Sequence, residues 1–322
     1  MERIDPGIIF LSRLMNEVHM WRCKLGCLGL LIGLINCTQV NAQELDPEQK
    51  QKIDAVLPSK APATPKKPRL LLVTNLGIRD GRPIRGHSDT AIPAQNYAVG
   101  QMGKLTGAYT AIFDNDIERF RPDYIQRYDA ICFLNTVGVL FEDQELKDSL
   151  LAYIKQGKGF IGVHDAIATF VQYPVYDQWP AFGQMLGGTE NGGHPWNGEP
   201  MTLKVEKPES PLTAMFSEGS FQIADQAFQL QEPVFRDRLQ VLLSIDVEKT
   251  GLTGRRILPV RSEDLDFPMS WIRPYGKGRV FYSGLGHNVH VFWQPAVLEH
   301  LLAGIQFALG DLEVDMTPHP KP

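Results

Sequence analysis

Cysteine is scarce in this chain, and three of the four cysteines sit near one end: Cys23, Cys27 and Cys37. Cys132 is then alone in the remainder, so no internal disulfide can staple the body and its core must hold by packing. No apolar run reaches the roughly 20 residues that a transmembrane helix needs. There is no basic stripe interleaved with aromatics, and the net charge is −5, so a nucleic-acid partner has no electrostatic footprint. Neither a His-Glu-x-x-His nor a His-x-x-x-His spacing occurs, which removes the common helical zinc signatures. Internal repeats are also missing. What remains is ordinary for a globular protein: 322 residues, 43% hydrophobic and 21% charged, enough to bury a core without staples.

The N-terminus is informative. Arg13, Arg22 and Lys24 precede an apolar run from Leu25 to Ile35, followed by Val40-Asn41-Ala42. A basic region, a short apolar segment and a small-residue cleavage site predict a secretory signal over residues 1–42, with Gln43 first in the mature protein. Export to the periplasm or the medium is therefore expected, with no stable membrane insertion after cleavage. Translation from Met15 or Met20, or lipid modification at Cys37, are alternative readings of the same stretch. Residues 43–67 are polar, hold Pro58, Pro62 and Pro65 with a Lys66-Lys67 pair, and read as a tether. One domain is expected over 68–310, then a tail over 311–322.

Within that domain, apolar runs alternate with amphipathic stretches. Strands are predicted over Arg69–Thr74, Tyr109–Phe113, Ala130–Leu134 and Gly159–His164. Helices are predicted over Ile92–Leu105 and around Leu146–Ile154, the second ending at Gly157. This alternation implies an α/β fold whose parallel sheet is covered on both faces. Beyond Met201 come strands over Met201–Val205, Gln240–Asp246, Met269–Ile272 and Arg279–Leu285. A hairpin turn falls at Tyr275–Gly278, and a closing helix runs from Pro295 to Ala308.

Ligands of open parallel sheets bind beyond the carboxyl ends of the strands. Four of the eight histidines fall at such loop positions: His87, His164, His194 and His287. His164 ends a buried strand and is expected to meet a helix N-terminus. His194 lies among glycines beside Trp196, a face on which a sugar ring could stack. Asn135 follows another strand end. Imidazoles with a carboxylate such as Asp225 would suit a zinc-like ion, with His87, His164 and His194 as the ligand set. They would serve equally as metal-free acid and base groups. His290 and His300 read as ordinary residues of the last helix region. No nucleotide cofactor is expected.

Asn135-Thr136, Gly157–His164, Leu186-Gly187-Gly188, Gly193–Trp196, Pro268–Trp271, Tyr275–Tyr282 and Gly284–His287 together closely resemble the ThuA-like (trehalose utilisation) family, in order and across nearly all of 68–310. The resemblance implies a class I glutamine amidotransferase-like fold, a flavodoxin-like three-layer sandwich with a mostly parallel central sheet. The superfamily's elbow cysteine is replaced here by His164, which argues against amidotransferase or amidase chemistry. The family's Asp-Glu pair and following tyrosine correspond here to Asp225-Gln226-Ala227-Phe228, so one acid/base candidate and one hydroxyl are lost.

The resemblance implies action on trehalose-like disaccharides or 3-keto-glycosides, in a protein that the N-terminal signal marks for export. A ketone at C3 acidifies the proton on C2, and histidine titrates near neutrality. His164, His194 and Asp225 are the catalytic candidates; Asn135, Trp196 and His287 are the substrate-binding ones. The alternative is a non-catalytic carbohydrate-binding protein stacking sugars on Trp179, Trp196 and Trp293. A small carbohydrate is the expected partner under either reading, and the oligomeric state is left open.

Overall fold

The computed structural model describes residues 45–84, 90–172, 177–231, 236–252 and 265–318. The predicted signal over 1–42 and the candidate ligand His87 lie outside the described residues.

Among the described residues, nine strands form one sheet in the order β4-β1-β5-β7-β12-β11-β10-β8-β9. They are β1 (Leu70–Thr74), β4 (Thr110–Phe113), β5 (Ala130–Leu134), β7 (Gly159–Val163), β8 (Trp196–Val205), β9 (Ser220–Ala227), β10 (Gln240–Ile245), β11 (Pro268–Tyr275) and β12 (Gly278–Ser283). Three short strands, β2 (Gly77–Arg79), β3 (Arg82–Pro83) and β6 (Val137–Gly138), make a small second sheet. The helices are α1 (Pro47–Asp54), α2 (Ile92–Thr106), α3 (Pro122–Ile125), α4 (Gln144–Lys155), α5 (Pro180–Leu186), α6 (Val247–Thr250) and α7 (Pro295–Leu309).

The central strands are apolar on both faces because both faces are covered. In β1, Leu71 and Val73 join the core beneath α2 and α7, while Leu72 joins the core beneath α4 and α5. Cys132 and Phe133 of β5 divide in the same way, following the two-residue period of a strand. Gly159 opens β7 because a Cβ there would lie 2.3 Å from the carbonyl oxygen of Ala308, so only glycine lets α7 lie this close.

The expected mostly parallel sheet is in fact mixed. The strands from β4 to β12 are parallel, but β12, β11, β10, β8 and β9 pair antiparallel. The parallel pattern needs a helical crossover between strands. After β7 those crossovers give way to direct returns, such as the Tyr275↔Gly278 hairpin with Gly276 at φ +61°. β9 was not anticipated, and β8 begins five residues before its predicted start.

Residues 45–67 are docked rather than a loose tether. Asp46 caps α1 through the Glu48 and Gln49 N–H groups, and Ile53 is fully buried in the core. Ala63 exchanges two hydrogen bonds with the Gln306 side chain, at 2.9 and 2.7 Å. Proline content suggested an extended linker, but the apolar Ile53, Val56 and Leu57 drive it onto the body. The tail also packs, through Leu312, Val314 and Met316. Among the described residues no helix is long and apolar enough to cross a membrane.

Candidate functional site

The site forms where the carboxyl ends of β5, β7 and β12 lie side by side. Asn135 follows β5 and His164 follows β7, and both hold positive φ, +55° and +45°. A non-glycine residue in this region costs about 1–3 kcal/mol, and two at adjacent strand ends mark a place where the fold imposes geometry.

His164 is fully buried. Its Nδ1 lies 2.7 Å from the carbonyl oxygen of Gly284. A carbonyl only accepts, so Nδ1 carries the hydrogen and Nε2 of the neutral ring carries the lone pair. Nε2 lies 3.4 Å from Asp165 Oδ1 and makes no hydrogen bond to any described residue. The helix N-terminus expected at this residue is instead a single 3-10 turn, His164–Ala168, too short to present a helix dipole.

The loop after β12 is bracketed on every side. Gly286 N–H donates to Asp225 Oδ2 at 2.7 Å, while its carbonyl accepts from Gln95 Nε2 at 2.5 Å and Asn135 Nδ2 at 3.2 Å. Asn288 donates its backbone and side-chain N–H groups to Asp225 Oδ1 at 3.0 and 3.2 Å. Gly286 has φ +147°, and a Cβ there would press to 3.3 Å from the Cβ of His164. This clamping delivers His287, whose ring centroid lies 5.3 Å from that of His164. The rings of His164 and His194 each lie 4.9 Å from Phe228. Of the four predicted loop histidines, His164 and His194 thus flank Phe228, and His287 lies against His164. His194 and His287 are half-buried and His164 is sealed behind them.

Two buried carboxyls complete the cluster. Glu190 is 6% exposed, and its carboxyl is pushed up to about 7 by burial and by the negative Asp165, against the pull of the Gly192 N–H group. Tyr282 donates to the His164 carbonyl at 2.8 Å. Burial drives its phenol well above the ordinary range, and the charges of Asp165, Asp225 and Glu190 add to the effect. The site thus combines imidazoles with buried carboxyls, Asp165 next to His164 and Glu190 close enough to feel the charge of Asp165.

A family model described as ThuA, trehalose utilisation, matches residues 84–308. The chain belongs to the ThuA family. Among solved structures it is similar to a putative ThuA-like protein of Bacteroides uniformis, at 21% identity over 75% of this chain and 92% of that one, with a TM-score of 0.58. A second, from Parabacteroides merdae, is 17% identical over 78% and 93% of the two chains, with a TM-score of 0.54. At these identities the likeness concerns the fold. No curated protein matches the chain.

Several site expectations change in this ThuA member. Trp196 is not a stacking platform: it is 2% exposed, meets Phe267 edge-on at 5.0 Å, and donates its indole N–H to Gly251. Trp179 is packed against Phe170 and Phe182, and Lys52 sits 4.2 Å over the ring of Trp293. Asp225 and Asn135 have their side chains committed to backbone groups, which makes them brackets for the loop rather than a base and a sugar ligand. The described residues show no zinc-like site. No group of three or more His, Cys, Asp or Glu among them is placed to hold a metal. His87, one of the three expected ligands, lies outside the described residues, and the Nδ1 bond of His164 to Gly284 leaves its Nε2 lone pair for a ligand.

His290 bonds the Ala224 carbonyl, and His300 is buried with its imidazole pushed down to about 4 by burial; neither joins the cluster. Glu190 and Gln95 were missed from the sequence. Glu190 stands four residues before His194 in a glycine-rich loop, and that spacing was the one available signal.

Proposed function

We propose that this ThuA member is an exported enzyme acting on trehalose-like disaccharides or their 3-keto derivatives, by proton abstraction beside the keto group. The observation that supports it is the clustering of His164 and His287, carried by adjacent strand ends, with His194 across Phe228 and the buried Asp165 beside His164. His194 and His287 are the imidazoles open to a ligand, and either takes the proton from C2. The electron pair left on C2 forms the enolate of the C3 ketone. It then expels the glycosidic oxygen from C1, which leaves with a proton. Water added across the new C1–C2 double bond gives net hydrolysis. Glu190, with a carboxyl poised near 7, is suited to return the proton. His164 positions His287 from behind through the Gly284–Asn288 loop. We also read the two helix-covered faces of the parallel strands as the flavodoxin-like arrangement.

The test is turnover of 3-keto-trehalose by the purified protein, with exchange of the C2 hydrogen followed in deuterated water. His194→Gln and His287→Gln are expected to lower kcat by about 10²–10⁴-fold, the usual worth of a positioned acid or base. Sugar binding without exchange or turnover would instead establish the non-catalytic carbohydrate-binding reading. That reading is weakened by the inward packing of Trp179 and Trp196 and by Lys52 over the half-buried Trp293. Export is tested separately, by N-terminal sequencing of the protein from its host, which should begin near Gln43.

A further inference from the structure

A second concavity lies away from the histidines, between α5 and the outer end of β11. Its volume is about 600 Å³, within the roughly 300–1,000 Å³ typical of small-molecule sites. Arg273 and Arg238 both line it, together with Gln184, Gln231, Tyr275 and Leu230. Arg273 is half-buried, and among the described residues it bonds carbonyls rather than carboxylates. Nη1 donates to Gln184 at 2.5 Å, and Nε reaches Pro274 at 3.4 Å. A guanidinium presents five N–H donors in a planar fork, so these two contacts leave donors for another acceptor. Burial works against the charge of Arg273, and the like charge of Arg238 adds to that while Tyr275 opposes it. Arg238 pairs with Asp237 at the exposed rim, Nε to Oδ2 3.9 Å, and an anion entering the cavity would gain charge-assisted hydrogen bonds from both guanidiniums. Around them the lining mixes side-chain amides, a phenol and the Asp177 carboxyl with the apolar Leu230, the mixture that suits hydroxyls and ring faces of a sugar.

We propose that this cavity is a second ligand site, which takes a sugar-sized molecule carrying a negative group, a phosphate or a carboxylate, held by Arg273 and Arg238. The inference is independent of the chemistry at the histidines. The two places share only the ribbon in which Asn191 bonds Gln229 and Gln231 bonds Thr189.

The test uses the full chain and titrates glucose 6-phosphate, glucuronate, trehalose and inorganic phosphate by calorimetry. In parallel, phenylglyoxal modification of Arg273 is mapped by peptide mass spectrometry. At least one anionic sugar is expected to bind and to shield Arg273 from phenylglyoxal, and which of the two does so names the anion. Trehalose should not shield it, and inorganic phosphate should shield it only at much higher concentration. Arg273→Gln and Arg238→Gln should each weaken anionic-sugar binding about tenfold or more, since each removes charge-assisted hydrogen bonds. Arg238 is exposed, so its variant decides the matter even if Arg273→Gln fails to fold. The proposal is overturned if neither anionic sugar shields Arg273 in the wild type, if trehalose shields it equally, if phosphate alone binds as tightly as the sugars, or if Arg238→Gln binds like the wild type.

Discussion

From β4 to β12 the large sheet is parallel, its strands short and separated by helices. From β12 to β9 it is antiparallel, with the ten-residue β8 and eight-residue β9 paired edge to edge. The two halves contribute different things to the site. The parallel half supplies strand ends that stop abruptly, and there the chain turns through positive φ at Asn135 and His164. The antiparallel half supplies no such ends in that row. Its β9 instead extends far enough to place Asp225 against the Gly286–Asn288 loop and Phe228 between imidazoles. Neither half makes the site alone: one positions His164, and the other fixes the loop that carries His287.

This division is broken most directly at Asp225. Asp225→Ala removes the acceptor of three N–H groups in the interior, and an unsatisfied buried donor costs about 1–3 kcal/mol. A loss of more than about 3 kcal/mol is expected by urea denaturation, together with loss of activity, because the His287 loop is released. Asp225→Asn keeps one acceptor and should recover part of the stability. If Asp225→Ala is as stable as the wild type and only kcat falls, Asp225 is a base and the bracket reading fails. Gly286→Ala tests the same loop from the other half. A residue with a Cβ is strained at φ +147° and meets His164, so about 1–3 kcal/mol should be lost. His287 should then be displaced, and wild-type stability and turnover together would show that the loop is not held as described.

The parallel half was the legible one. Periodicity located β1, β4, β5, β7 and the two long helices among them to within about two residues, though not the short α3, because a strand buried on both faces is a continuous apolar run bounded by turns. The strand-end rule then selected His87, His164, His194 and His287, of which the last three lie together and His87 is outside the described residues. The antiparallel half was harder to read. In β9 polar residues such as Gln222, Asp225 and Gln226 interrupt the apolar pattern, and their partners lie on distant segments. The role of Asp225 depends on N–H groups more than sixty residues away, and the burial that lifts Glu190 depends on the ribbon with Leu230; neither leaves a mark in local sequence. Trp196 misled for the opposite reason. Proximity to His194 in sequence suggested a shared cleft, but β8 begins at Trp196 and turns its ring into the core.

Glu190 sharpens the comparison through pH. Its carboxyl rises from the ordinary 4.5 to about 7 in the folded protein. Between those values the folded state binds more protons than the unfolded one, so stability falls as pH rises through this window and levels off above it. Glu190→Gln stays neutral throughout, and its thermal midpoint should lose that part of the pH dependence. It should also remove an ionisation near 7 from the activity profile. An unchanged melting profile between pH 5 and 7 would show that Glu190 is ionised in the fold and not poised for proton transfer.

The smallest effect is expected at Trp196, and it separates a packing role from a sugar-binding one. In the structure the indole fills a core position against Phe267 and donates one hydrogen bond, at 3.2 Å, to the Gly251 carbonyl. Trp196→Phe keeps an aromatic ring in that place but loses the donor and some volume. A buried hydrogen bond and a modest cavity are together worth about 1–2 kcal/mol, so the midpoint of unfolding should fall by that amount. Sugar affinity should not move, because no face of the ring is open to a ligand. A stacking tryptophan would behave in reverse: its replacement would weaken sugar binding while stability barely changed, since an exposed ring contributes little to the core. The ratio of the two effects in one variant therefore distinguishes the roles. A variant that folds as stably as the wild type but binds the sugar several-fold more weakly would return Trp196 to the site and place the start of β8 at the mouth of the cleft.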